Sequence, residues 1–127
     1  MKCGRAGAVL VAAAVSVTVA SCAAPHAAPR EITLVAQGMT FRRAAAPQDV
    51  NPVLILRAGE RVRLVVRNET PGVLHGVEIP AVNVTIEELG RGQSRGIVFT
   101  VPNVPGRYEY RCPAHAAIMR GAVEIMP

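Results

Sequence analysis

Cys112, His115 and Met119 fall within eight positions, in the stretch YEYRCPAHAAIMRG from Tyr108 to Gly121. They are a thiolate, an imidazole and a thioether. That combination suits a soft or borderline metal, copper above all. The residues leading in alternate. Tyr108, Tyr110 and Cys112 share one parity, and Arg107, Glu109 and Arg111 share the other. In a strand this turns the tyrosines and the thiol inward and leaves the charges in water. Cys112 is therefore expected at the end of a strand, pointing in, with His115 and Met119 on a loop that curls over it.

Three ligands leave such a site incomplete. A blue-copper centre takes two imidazoles and a thiolate in a trigonal plane, with a weak axial thioether. The chain has three histidines. His26 lies in AAPHAAPR, a segment that reads as a solvated tether. His75 lies 37 residues before Cys112 on an expected strand, just after the turn at Pro71-Gly72. A strand beside that of Cys112 would bring it to the same end of the fold. The set is then His75, Cys112 and His115 equatorial and Met119 axial, around one mononuclear type 1 copper. Met39, also a thioether, is assigned to packing.

The cysteines support this division. Of three, Cys3 lies in an N-terminal leader and Cys22 at its end, so Cys112 has no partner for an internal disulfide. Met1 to Arg5 is a short basic start, and Ala6–Ala20 is apolar or small and uncharged. That is the pattern of a secretory leader. It ends in Val19-Ala20-Ser21-Cys22, which resembles the bacterial lipoprotein signal, cut before a Cys that then carries lipid. The expected organisation is a signal peptide over 1–21, a flexible tether over 22–30 with Cys22 lipidated, and one domain over 31–127. This places the domain outside the cytoplasm, in a periplasm or on an extracytoplasmic face, held at a membrane by its lipid anchor.

Charge excludes other classes. The formal charge is +5, with 14 basic and 9 acidic residues, but Lys2 and Arg5 belong to the leader and the remainder are scattered. Aromatic residues make up 3%. Scattered charge and few aromatics argue against a nucleic-acid partner. A monomer with an unidentified redox partner protein is expected.

From Glu31 onward the chain reads as short β-runs punctuated by Gly and Pro. Strands are expected at Glu31–Ala36, Val53–Leu56, Arg61–Arg67, Val73–Ile79, Val82–Ile86, around Ile97, Phe99 and Val101, at Tyr108–Cys112 and at Gly121–Ile125. Gly38–Phe41 is a short apolar piece that puts Phe41 in the core, and Arg42–Asn51 is expected to be a loop. Arg61–Arg67 alternates most regularly, with Val62, Leu64 and Val66 facing one way. Seven or eight such strands with no sustained helical period imply an antiparallel β-sandwich or small barrel.

Several segments together resemble the cupredoxins, the small blue-copper electron-transfer family. They are Gly38–Phe41, Ala58-Gly59-Glu60 with the strand to Asn68, His75 before Ile79-Pro80, and Pro105-Gly106-Arg107-Tyr108 running into Cys112, His115, Met119 and Gly121. The resemblance spans 31–127. It implies an all-β, Greek-key antiparallel β-sandwich holding copper at His75, Cys112, His115 and Met119 and cycling between Cu(I) and Cu(II). The implied function is electron transport rather than enzymatic catalysis, with copper handling (a chaperone, store or resistance factor) as the alternative. Three features depart from the family pattern. The His–Met spacing of three lies between its shorter and longer loops. Gly76 stands where an Asn often braces the Cys loop. Pro113 follows the Cys directly, where several relatives place a Pro just before the His.

Overall fold

The structure is a computed structural model, and it describes residues 26–127. The expected signal peptide and Cys22 lie outside the described residues. Ten strands form two five-stranded sheets packed face to face. The first sheet has the order β3-β2-β1-β5-β8, from β1 (Arg30–Gln37), β2 (Thr40–Arg43), β3 (Ala46–Val50), β5 (Arg61–Asn68) and β8 (Ser94–Thr100). The second has the order β4-β10-β9-β6-β7, from β4 (Leu54–Arg57), β10 (Arg120–Met126), β9 (Gly106–Arg111), β6 (His75–Ile79) and β7 (Val84–Leu89). There is no α-helix among the described residues, only single 3-10 turns at Pro80–Val82 and Pro113–His115. An all-β sandwich is therefore what forms, as the pattern of short strands implied.

The period-2 alternation decides which side chains meet. In β5, Val62, Leu64, Val66 and Asn68 are buried while Arg61, Arg63 and Arg67 are exposed. Leu34 and Ala36 of β1 and Leu54 and Leu56 of β4 join them between the sheets, with Phe41, Val77, Ile79, Ile86, Tyr110 and Val123. Each fully buried Leu, Ile, Val or Phe contributes roughly 1.5–3 kcal/mol by leaving water. At the centre Phe41 and Tyr110 pack tilted with ring centroids 5.6 Å apart, and the Tyr110 hydroxyl donates to the Pro52 carbonyl at 2.8 Å. The phenol is thereby removed from solvent, which pushes its pKa far up.

Two expectations need correction. Arg42–Asn51 is not a loop: β2 and β3 form a hairpin, pairing Arg42 with Val50 and Arg43 with Ala46. β3 is the sheet's edge strand, and Arg42 and Arg43 of β2 donate to the carbonyls of Pro47 and Val53. The pairing is also not wholly antiparallel. β1 runs parallel to β5 over seven residue pairs, and β10 runs parallel to β4 over four. These parallel ladders set the polarity of the molecule. β1 and β5 both run toward the end where β6 begins at His75 and β9 delivers Cys112. The residues just before Arg30 enter at the opposite end, where His26, Ala27 and Ala28 lie beside Gly59, Glu60 and Arg61. There Arg30 pairs with Glu60 at 2.6 Å, which holds the Glu60 carboxyl below its ordinary range.

Candidate metal centre

Neighbouring strands of the second sheet carry the donors. β6 starts with His75, and β9 ends at Arg111, one residue before Cys112. The two strands share a short antiparallel ladder that pairs Glu78 with Arg111, reinforced by an ion pair between the same side chains. His75 and Cys112 are both fully buried, and His115 is partly exposed.

The loop after Cys112 folds back on itself through its own backbone. Pro113 opens the 3-10 turn, where a missing N–H costs nothing and the fixed φ suits a helical start. The His115 amide donates to the Cys112 carbonyl at 3.0 Å. Ile118 and Met119 both donate to the His115 carbonyl, and the Cys112 amide donates to the Met119 carbonyl at 2.9 Å. Cys112, His115 and Met119 are thus locked into one compact ring of chain, and the Met119 side chain is fully buried. Beyond it, Gly121 lies flat against Tyr110; a Cβ there would sit 2.5 Å from the phenol ring.

Three of the four sequence-derived ligands converge. Cys112 Sγ lies 3.5 Å from His115 Nδ1 and 3.8 Å from His75 Nδ1. The donor atoms of His75, Cys112 and His115 all fall within 4.8 Å of one another. The two imidazoles sit 5.1 Å apart, tilted by 59°. Both histidines therefore turn Nδ1 toward the thiol. Burial, and then the neighbouring His115, lower the His75 pKa, partly offset by the Gly38 carbonyl and Glu88. A neutral imidazole is the form that binds a metal. His26 lies at the far end of the sandwich, beside Arg30 and Glu60, and takes no part.

Gly76 has a structural reason. It occupies an irregularity in the β6–β7 ladder, between His75 and Val77, where β7 comes unusually close. A Cβ on residue 76 would lie 2.6 Å from the Ile86 carbonyl oxygen. No Asn fits there, so the bracing side chain expected beside the first His is excluded by the neighbouring strand. Asn68, at the end of β5, was not among the residues singled out from the sequence. It is fully buried, and its amide donates to Val73 O and Leu89 O, each at 2.7 Å, while its oxygen accepts from the Thr70 amide. Asn68 thus ties the segment before His75 to the end of β7. A polar residue closing an otherwise apolar alternation was the available signal.

No family model and no curated protein matches the chain. Solved structures do. A copper nitrite reductase from Nitrosomonas europaea superposes with a TM-score of 0.65 at 20% identity, covering 79% of this chain. This chain spans 42% of that protein, so the likeness is to one part of it. A dithionite-reduced auracyanin from Roseiflexus castenholzii gives 0.62 at 21% identity, covering 79% of this chain and 99% of that one. A reduced Cu(I) form of an amicyanin variant gives 0.52 at 23% identity, covering 78% and 85%. The fold is cupredoxin-like. In this fold the two imidazoles of His75 and His115 and the thiol of Cys112 gather at one end of the sandwich.

Proposed function

We propose that the protein is a membrane-tethered mononuclear copper protein that carries electrons. The observation that carries this reading is the convergence of His75 Nδ1, His115 Nδ1 and Cys112 Sγ within one sub-5 Å cluster. Two imidazoles and a thiolate are donors that suit copper, and the buried Met119 on the same closed loop would offer a thioether to it. Copper held there would supply a one-electron couple between Cu(I) and Cu(II). The chain's own contribution is to keep the donors where they are. His75 is fixed by the end of β6, Cys112 by the end of β9, and His115 and Met119 by the loop's internal hydrogen bonds. A scaffold so packed reorganises little on gain or loss of an electron.

Access favours transfer over release. Cys112, His75 and Met119 are fully buried, while His115 is partly exposed and forms the edge nearest solvent. Flanking the two histidines in the chain, Leu74 and Ile118 are 53% and 61% exposed. A redox partner protein reaching the His115 ring would cover these apolar side chains. A copper-handling role would instead need the buried donors to exchange.

The tether fits the same picture. The strand that follows it, β1, starts at the end opposite the donors. Lipid on Cys22 would then hold the domain on an extracytoplasmic membrane face with His115 pointing away. Cys22→Ala should move the protein from the membrane fraction to the soluble extracytoplasmic fraction; unchanged partitioning would remove the anchor from the account. For the site itself the test is Cys112→Ser. It should abolish the intense visible thiolate-to-copper band and sharply weaken Cu(I) binding. A variant that stays coloured would place the copper elsewhere.

A further inference from the structure

Among the strands at the sheet edges, β4 has the least protection in its own sequence. An open edge offers unpaired N–H and C=O groups to any passing strand, and proteins blunt it with charge, proline or irregularity. β3 carries Pro47 and Asp49, β8 carries Arg95 and Gly96, and β7 carries Glu87 and Glu88 beside an irregular register. β4 pairs with β10 on one side and is the last strand of its sheet on the other. It follows the uncharged run Val53-Leu54-Ile55-Leu56 and meets a charge only at Arg57. Leu54 and Leu56 are buried, while Ile55 turns outward and is 55% exposed. A short apolar β-run on an open edge is a template for another strand.

The guard of β4 comes from other elements. Arg43 of β2 donates through Nη2 to the Val53 carbonyl at 2.8 Å, and Arg30 of β1 donates through Nη2 to the Ile55 carbonyl at 2.8 Å. Both arginines belong to the facing sheet, so they reach across the open side of the sandwich. Arg30 also grips Glu60, with Nε 3.1 Å from Oε2 and Nη2 2.6 Å from Oε1. The same Glu60 Oε1 accepts the Arg57 amide at 2.8 Å, and the Glu60 amide donates to the Arg57 carbonyl at 3.1 Å. Alternate residues of a strand turn their backbone groups to the same edge. Val53, Ile55 and Arg57 are therefore the residues a new strand would have to reach, and each already holds a side-chain partner.

We infer that Arg43, Arg30 and Glu60 form a side-chain strap that closes the free edge of β4 against a second copy of this chain. The edge is complementary to itself. Run antiparallel against its own copy, Ile55 would face Ile55 across a two-fold axis and Val53 would face Arg57, which would join two sheets into one. The strap occupies the carbonyls and the amide that this pairing needs, so a copy can add only when the strap opens. The inference does not rest on the copper reading, because Glu60 lies at the end of the sandwich opposite the donors.

The test traps the pairing covalently. In such a dimer the two Ile55 Cα atoms would lie about 5.5 Å apart, inside the span of roughly 4.4–6.8 Å that a disulfide bridges. The full chain carrying Ile55→Cys should stay monomeric on oxidation with diamide, read on a non-reducing gel. Adding Arg30→Ala and Arg43→Ala should raise the crosslinked fraction by roughly ten-fold or more, the effect of charged hydrogen bonds no longer opposing the pairing. The chain without Ile55→Cys fixes the contribution of its native cysteines. Val98→Cys, on the edge strand β8 and 42% exposed, gives the collisional background with the same arginine changes. Crosslinking that is equal with and without the arginines, or no greater from residue 55 than from residue 98, overturns the inference. Should circular dichroism show the double arginine variant unfolded, Arg43→Ala alone decides: an increase over the intact strap supports the inference, and no increase overturns it.

Discussion

Replacing Gly76 by alanine isolates one close approach on which the geometry at His75 depends. The added Cβ would lie 2.6 Å from the Ile86 carbonyl oxygen and 3.3 Å from Glu87 C and Glu88 N. Ordinary contact begins near 3.4 Å, so the β7 backbone must retreat by about 0.8 Å. It cannot do so freely, because Val77, Glu78 and Ile79 pair with Ile86, Thr85 and Val84 just beyond. Overpacking of this kind costs about 1–3 kcal/mol. In a domain of this size each kilocalorie moves the melting temperature by about 4–8 °C, so a fall of roughly 5–20 °C is expected. His75 is the adjacent residue, so copper affinity should fall as well. Thermal unfolding and copper competition on purified Gly76→Ala read both effects. Gly90→Ala is the control, because its Cβ meets only the Gln93 and Leu74 side chains, at 3.4 Å and beyond. A Gly76→Ala protein that melts with the wild type would refute the close approach. So would a loss no larger than that of Gly90→Ala.

Met119→Leu should keep copper bound and raise the reduction potential, read by voltammetry; complete loss of copper would contradict a weak axial role. The pH dependence of the metal-free protein follows from His75. The unfolded ring takes up a proton near its ordinary pKa of 6.5, while burial and His115 delay protonation of the folded ring to lower pH. Between those values the unfolded state binds more protons, so stability should fall as pH drops below about 6.5 and level off above it. Urea midpoints between pH 5 and 8 check this, and copper, which holds the folded ring neutral while the unfolded ring still takes up a proton, should preserve or steepen the slope. Midpoints that rise on acidification would contradict the buried neutral imidazole.

The legible part of the fold was the part written in each strand's own period. β5 announces itself because four inward residues alternate with arginines, and β9 because Tyr110 and Cys112 share one parity. The cluster of His75, Cys112 and His115 was legible for a different reason: from residue 31 onward the chain holds one Cys and two His, which leaves few ways to assemble a thiolate–imidazole centre. The β2–β3 hairpin was hidden because an edge strand with both faces near solvent carries no alternation. Its Pro47 also reads as a breaker, although edge strands tolerate proline. Parallel pairing of β1 with β5 was not readable, since a strand's pattern says which face is buried and nothing about its neighbour. Gly76 looked like a departure from a family pattern, and its cause is a backbone in another strand. Asn68 reads as the end of a strand, and its three hydrogen bonds appear only once β7 and the segment before His75 are folded against it.

A visible absorption and EPR spectrum of the Cu(II)-loaded domain tests the assignment of His75, Cys112, His115 and Met119 most directly. An intense band toward the red together with a narrow copper hyperfine splitting is expected, the signs of one thiolate–copper centre in a constrained geometry. A colourless protein that takes up only Cu(I), or one whose copper gives the wide splitting of a nitrogen–oxygen site, would contradict it.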